Sequence, residues 1–238
     1  MVNVGDDAGA LAAAKEIERL QARIEDPYLQ SAAHMAMSWT LPILDDFEGA
    51  LSAASLSIQG FRAQDEPFMA AIVVFTLGML EMAMGRYEDA HRHLSEVHAT
   101  GGQDGDNWLT AVACVQLASL AVDAGRPDEA RALLDESLHN SLGTERSTHL
   151  LTFCLVAYAK LAAARGEPRQ AALALGAVEG LRARAGLRPW PLVRPGEAEL
   201  LAGVKQAFPP DQFQDAFVTG SQLSRREAID IVRGEASS

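Results

Sequence analysis

The sequence predicts an all-α protein of the solenoid class, built from helix-turn-helix repeats with a period of about 40 residues. Three observations support this prediction. Bulky side chains recur 40 residues apart, at Tyr28, Phe68 and Trp108. Small side chains recur at the same interval, at Ala50, Ala90 and Ala130. No stretch shows the alternating apolar and polar pattern of a half-buried strand, so we expect helix to dominate.

A helix from about Ala8 to Arg23 precedes the repeats, with Asp6 or Asp7 as its cap. Each of the four repeats then opens with a capping residue before a bulky one. Carboxylates and proline suit these positions, because the first helical turn has unpaired N–H groups and a positive dipole end. The openings are Asp26-Pro27-Tyr28, Glu66-Pro67-Phe68, Asp106-Asn107-Trp108 and, more weakly, Arg146-Ser147-Thr148.

Each first helix runs for roughly 17 residues and ends in a turn. Three of the turns carry a glycine where that helix ends, which predicts a positive φ at Gly85 and Gly125. The first repeat has no such glycine. The alanine that follows in each turn lets the second helix lie close to the first, so we expect Ala90 and Ala130 to be buried. The turns are Asp45–Ala50, Gly85–Ala90, Gly125–Ala130 and Gly166–Ala171.

Beyond the fourth repeat, the proline-containing loop Leu187–Pro195 leads to three further helices. We expect them near Gly196–Ala207, Pro210–Thr219 and Ser224–Val232, where they cap the open end of the solenoid. The predicted organisation is a capping helix in residues 1–25, four repeats in 26–187 and capping helices in 188–238.

The repeats resemble the tetratricopeptide repeat. The matching positions are Leu77-Gly78 with Leu94, Leu117-Ala118 with Leu134, and Tyr158-Ala159 with Leu175. The 40-residue version is similar to the region near the C-terminus of actinobacterial LuxR-type and adenylate-cyclase-associated regulators. The segment Leu175–Leu181 and the last helix, ending Leu223–Ala228, resemble the way those chains finish. The resemblance implies a role in signalling or transcription regulation through protein–protein interaction.

Charge is uneven along the chain. Residues 1–119 contain 17 acidic and 6 basic residues, a net charge of −11, which disfavours direct nucleic-acid binding. The fourth repeat and the loop after it are basic. Such a patch either holds an acidic partner segment or a phosphate group, or is a solvated face or a set of intrachain ion pairs. The longest apolar run, Phe68 to Leu80, has about 13 residues where a membrane span needs ~20. With no secretory signal, we expect a cytoplasmic protein.

The sequence contains no catalytic or nucleotide-binding motif, so we expect neither an enzyme nor a cofactor. Cys114 and Cys154 are expected to be buried free thiols. The glycine-rich stretch Gly101–Asn107 lacks the ligand pattern of a calcium loop and is interpreted as a helix-capping linker. The histidines His91, His93 and His98 are expected on an exposed helix surface, since the first two point about 200° apart and cannot share a metal ion. We therefore expect no metal site.

In tetratricopeptide-like arrays the first helices line the concave side, so the resemblance places a binding groove there. Its apolar content favours an amphipathic helix or peptide, or an apolar small molecule, over capture of a carboxylate. Tight curvature would instead make these residues core. The predicted function is a non-catalytic interaction scaffold, with a small-molecule sensor as the alternative. The predicted groove residues are Met35, Trp39, Ile72, Phe75, Met79, Met82, Val112, Val115, Phe153 and Val156.

Overall fold

The computed structural model describes residues 6–21, 23–101, 107–141 and 148–234. These residues form twelve α-helices, two short 3₁₀ helices and no β-strand. The predicted all-α, solenoid-like fold class is confirmed, because within each unit helices that are neighbours in the sequence pack on one another. The predicted linker at Gly101–Asn107 and the opening of the fourth repeat at Arg146-Ser147 lie almost wholly outside the described residues.

The helices are α1 (Asp7–Gln21), α2 (Pro27–Thr40), α3 (Phe47–Ala63), α4 (Pro67–Ala83), α5 (Tyr87–Gly101), α6 (Asn107–Asp123), α7 (Pro127–Ser141), α8 (Thr148–Ala164), α9 (Pro168–Ala185), α10 (Arg194–Gln206), α11 (Pro210–Gln222) and α12 (Arg225–Arg233). The 3₁₀ helices are Leu41–Leu44 and Pro191–Val193. The chain forms two compact units: unit 1 is Met1–Leu109 with Arg188–Val193, and unit 2 is Thr110–Leu187 with Arg194–Ser238.

The predicted caps form as expected at the start of the chain. The carboxylate of Asp6 accepts a hydrogen bond from the backbone N–H of Gly9 at 2.9 Å, so Asp6 caps α1. Asp26 caps α2 in the same way, since its carboxylate accepts from the N–H of Leu29 at 2.9 Å. Proline follows Asp26 at the first helical position, where its missing N–H leaves no partner unsatisfied.

The turns between paired helices have one backbone geometry in all four repeats. Gly85, Gly125 and Gly166 have φ values of 73°, 70° and 75°, which confirms the predicted left-handed caps. In the first repeat, Asp45 occupies the same position with φ 63°. The first repeat therefore keeps the turn without the glycine, because aspartate is among the few residues that tolerate this region. Its helix α2 also ends earlier, and the 3₁₀ helix Leu41–Leu44 fills the remaining length.

In unit 1, α2 packs on α3, α3 on α4, and α4 on α5. The buried hydroxyl of Ser57 on α3 donates a hydrogen bond to the carbonyl oxygen of Ser31 on α2 at 2.8 Å. Gly78 on α4 faces α5, since a Cβ at this position would lie 2.8 Å from Cγ of Leu94. Close contact between paired helices therefore depends on small side chains at the crossing.

The same contact recurs in unit 2, two repeat lengths along the chain. Ser137 on α7 is buried, and its hydroxyl donates to the carbonyl oxygen of Ala111 on α6 at 2.9 Å. Ser137 and Ala111 each stand 80 residues after their counterparts Ser57 and Ser31. The sequence period is thus reproduced in the hydrogen bonds of the two units. Ala90 and Ala130 are both 0% exposed, as predicted.

The three helices predicted after the loop are present as α10, α11 and α12, with boundaries within three residues of those expected. Helix α11 lies directly against α9, backbone to backbone. A Cβ on Gly176 would lie 2.1 Å from the carbonyl oxygen of Phe217, and a Cβ on Gly180 would lie 1.9 Å from that of Ser221. Both glycines fall within the segment whose resemblance was noted from the sequence. This contact fixes α11 on α9.

We expect Gly180→Ala to destabilise the protein by roughly 1–3 kcal/mol, because the added methyl group must push two backbones apart. Gly203→Ala is the matched control: Gly203 lies in α10 and a Cβ there has no atom within 4 Å. The control should be neutral or more stable by up to about 1 kcal/mol, from helix propensity alone. Urea denaturation measures both. Equal stabilities for the two variants would contradict the close α9–α11 contact.

Candidate functional site

Helix α4 packs on three neighbouring helices, α3, α5 and α2, and these leave one side of it half-exposed. Gly78 and Glu81 face α5, where Glu81 pairs with His93. Thr76 faces α2, since the indole N–H of Trp39 donates to its hydroxyl at 2.9 Å. The residues spaced three and four apart on the remaining side form what we call the α4 face. The α4 face consists of Ile72, Phe75, Met79 and Met82.

Most of the predicted groove residues of unit 1 are half-buried. Met35 and Trp39 on α2, and Ile72, Phe75 and Met82 on the α4 face, all have intermediate exposure. Met79 differs from the prediction of a partly exposed side chain, because it is only 3% exposed. An apolar surface with a buried centre and half-exposed flanks can hold an apolar segment without large rearrangement.

In unit 2 the predicted groove divides into core and surface. Val112 is 4% exposed and Val115 is 1% exposed, so the expectation that they line a groove is wrong at these two positions. Residues 109–118 of α6 are all buried, so this part of the helix is covered on all sides. Phe153 and Val156 on α8 remain half-buried.

A segment that the sequence placed in a loop lies on α4. Residues Arg188–Val193, which we call the strap, belong to unit 1 by their contacts. The 3₁₀ helix within the strap packs against α4 and against the 3₁₀ helix Leu41–Leu44, which follows Trp39 and Thr40. Leu192 is 7% exposed. The sequence signal that was missed is the apolar run Trp190-Pro191-Leu192-Val193 in a predicted loop.

The basic residues of the fourth repeat make intrachain bonds. The Lys160 ammonium donates to the carboxylate of Asp123 at 2.5 Å and to the carbonyl oxygen of Ser119 at 3.3 Å. The Arg184 guanidinium donates to the carbonyl oxygens of Ser221 and Leu223, at 2.8 Å and 2.6 Å. Of the two interpretations that the sequence allowed, the structure favours intrachain pairing for these cations.

A polar cluster in unit 2 was not found from the sequence. Arg182 on α9 forms a bidentate ion pair with Glu197 on α10, in which guanidinium nitrogens lie 2.5 Å and 2.8 Å from the carboxylate oxygens. The side chains of Arg182 and Glu197 are 8% and 15% exposed. His149 on α8 interacts with both charges, and its ring packs edge-on against Phe153 with centroids 4.7 Å apart. Burial, and then the positive charge of Arg182, lower the pKa of His149. Its Nδ1 is buried with no hydrogen-bond partner among the described residues.

The histidines of α5 also differ from expectation. His91 is exposed as predicted, but His93 and His98 are partly buried. His93 Nδ1 lies 2.7 Å from Oε2 of Glu81, whose side chain is 8% exposed. The prediction of an exposed surface is therefore wrong for His93 and His98. His93 lies at the α4–α5 contact, beside Glu81.

The two cysteines are buried free thiols, as the sequence indicated. Burial, together with the neighbouring carboxylate of Glu136, raises the pKa of Cys114 to about 12. Burial raises the pKa of Cys154 to about 11. Both thiols are protonated at neutral pH, and a thiol in this state is a poor nucleophile.

No known protein family matches this chain, and no curated protein matches it either. Within the described residues, none of the helices combines the length and the apolar character that crossing a membrane requires.

The pKa of His149 predicts a pH dependence of stability. Because the folded-state pKa lies below the ordinary value of ~6.5, the unfolded chain takes up a proton first as the pH falls. The contribution of His149 should therefore lower the free energy of unfolding as the pH falls through about 6.5. We expect His149→Gln to reduce this dependence, as measured by urea denaturation across the pH range. His91→Gln, at an exposed position, is the control, and equal slopes in the two variants would contradict the prediction.

Proposed function

We propose that the chain is a non-catalytic protein-interaction module whose α4 face binds an apolar segment of a partner. The observation that carries this proposal is the half-exposed set Ile72, Phe75 and Met82 around the buried Met79. Met and aromatic side chains adapt to different apolar partners. They also suit an amphipathic helix, which anchors through residues three or four apart.

The use of charged groups supports a scaffold over an enzyme. Arg62 pairs with Glu96 and Lys160 with Asp123, each between helices of different pairs. Arg86, in the turn before α5, pairs with Glu48 on α3. Exposed pairs of this kind contribute little stability individually, and they leave these charged groups engaged within the chain. The buried, protonated thiols point the same way.

We place this module in a cytoplasmic signalling or transcription regulator, as its C-terminal part or a related stand-alone protein. The support is the repeat resemblance and the geometry of the turns, which recur at the positions that the repeat pattern indicates. The acidic character of residues 1–119 argues against direct contact with nucleic acid and favours a protein partner.

A small-molecule sensor is the second candidate, and the His149 cluster favours it. Ligand sites are mostly apolar, with a few polar groups that fix the ligand's orientation. The unpartnered Nδ1 of His149, beside the half-buried Phe153, fits that description. A rise in melting temperature with apolar metabolites, but not with helical peptides, would favour the sensor.

Phe75→Ser tests the interaction module. A helical peptide is first selected from a displayed library against the wild-type chain, and its Kd is then measured for wild type and variant. We expect the variant to bind at least about tenfold more weakly, a loss of roughly 1.4 kcal/mol. Because Phe75 is half-exposed, the free energy of unfolding of the variant should fall by less than the ~3–5 kcal/mol typical of a truncated, buried phenylalanine.

Leu80→Ala is the control for stability, since Leu80 lies on the same helix and is 0% exposed. It should lose ~2–5 kcal/mol of stability. Unchanged peptide affinity in Phe75→Ser would overturn the assignment of the α4 face as the binding site. A stability loss as large as that of a fully buried aromatic would assign Phe75 to the core.

A further inference from the structure

The strap is a segment of this chain seated on the surface that we propose as the binding face. It spans six residues, Arg188-Pro189-Trp190-Pro191-Leu192-Val193. Its neighbours in the sequence, Leu187 and Arg194, belong to unit 2, whereas the strap itself packs within unit 1.

The local sequence gives the strap a defined shape. Gly186, with φ 64°, ends α9 in the left-handed region, which turns the chain away from the helix direction. Pro189 and Pro191 each fix φ near −65° and restrict the residue before them to extended conformations. The N–H of Val193 donates to the carbonyl oxygen of Trp190 at 3.0 Å and closes the short 3₁₀ helix. Few conformations are therefore lost when this segment docks.

Helical geometry indicates where the strap lies on α4. The faces that carry Gly78 and Thr76 are taken by α5 and α2, and α3 also packs on α4. The strap also touches the 3₁₀ helix Leu41–Leu44, at the end of α4's neighbour α2. The side of α4 that these three helices leave half-exposed is the α4 face, where Ile72, Phe75 and Met82 lie. The burial of Met79, at 3% exposure, and of Leu192, at 7%, agrees with two apolar surfaces that cover each other.

We propose that the strap is a built-in occupant of the α4 face, and that the partner presents a proline-containing apolar segment of the same chemistry. The recognised pattern is an aromatic residue, a proline and an aliphatic residue in sequence, as in Trp190-Pro191-Leu192. Pre-extended proline segments bind aromatic-lined surfaces at low entropic cost. This inference rests on the proposed function and names both its ligand class and its regulation, because the partner must displace the strap.

The strength of the competition between the strap and a free peptide follows from the tethering of the strap. A tethered segment acts at an effective concentration on the order of millimolar. A free peptide competes with the tethered strap for the α4 face. Its apparent affinity for the wild-type chain is therefore its intrinsic affinity multiplied by the fraction of molecules in which the face is open. Loosening the strap should therefore strengthen peptide binding without any new contact.

The test uses a fluorescein-labelled peptide with the sequence of residues 187–194 and the full-length chain. Binding is measured by anisotropy to wild type and to the double variant Trp190→Ser/Leu192→Ser. We expect the double variant to bind at least about tenfold more tightly than wild type. Adding Phe75→Ser to the double variant should abolish this gain. A peptide with serine in place of Trp190 and Leu192 is the matched control and should bind neither protein.

A second variant covers the case in which the first does not fold. Pro189→Gly/Pro191→Gly keeps the apolar side chains but makes the strap flexible, and it too should bind the peptide more tightly than wild type. Equal affinity in wild type and in the folded strap variants would overturn the inference. If those variants ignore the strap peptide but bind the selected helical peptide in a Phe75-dependent way, the strap inference fails and the proposed function stands. If neither peptide binds, both fail.

Discussion

The close approach of the two helices in each pair is the constraint on which the rest of this structure depends. The fourth residue of each second helix is an alanine, and all four are 0% exposed: Ala50, Ala90, Ala130 and Ala171. Opposite Ala90, a Cβ on Gly78 would lie 3.6 Å from the carbonyl oxygen of that alanine. At such a crossing a longer side chain has no room, because the turns are too short to let the helices separate. Turn geometry and pairing register follow from this contact.

The proposed binding face also follows from the way α4 packs on its neighbours. Helix α4 packs on α5, α3 and α2, and its remaining side carries Ile72, Phe75, Met79 and Met82. An apolar face of this kind needs cover. In this chain the strap supplies it through Leu192 and its neighbours. A short segment can be exchanged for a partner, whereas a packed helix cannot. The proposal of a regulated interaction module rests on this difference.

Local and periodic features could be predicted from the sequence. The turn glycines, the buried alanines, the caps at Asp6 and Asp26 and the final three helices follow from residue types at fixed offsets, and the structure has them. The predicted cap at Glu66 is wrong, because its side chain makes no capping hydrogen bond. Features that depend on distant residues could not. The burial of Met79 and the pairing of Arg182 with Glu197 each need an element whose position no local pattern encodes. Val112 and Val115 were assigned to the groove from the repeat resemblance, but both are buried. The resemblance indicates which face of the helix they lie on, and it does not indicate which element covers that face.

The most direct test of the helix-pairing constraint compares two alanines on α7. Ala130 is 0% exposed at the crossing with its partner helix, whereas Ala132, two residues later, is exposed. Urea denaturation of Ala130→Leu and Ala132→Leu measures the free energy of unfolding of each variant. The account predicts a loss of roughly 1–3 kcal/mol for Ala130→Leu, by overpacking. It predicts a change within about 0.5 kcal/mol for Ala132→Leu, as for other exposed positions. Equal stability of the two variants would contradict the register proposed for the repeats.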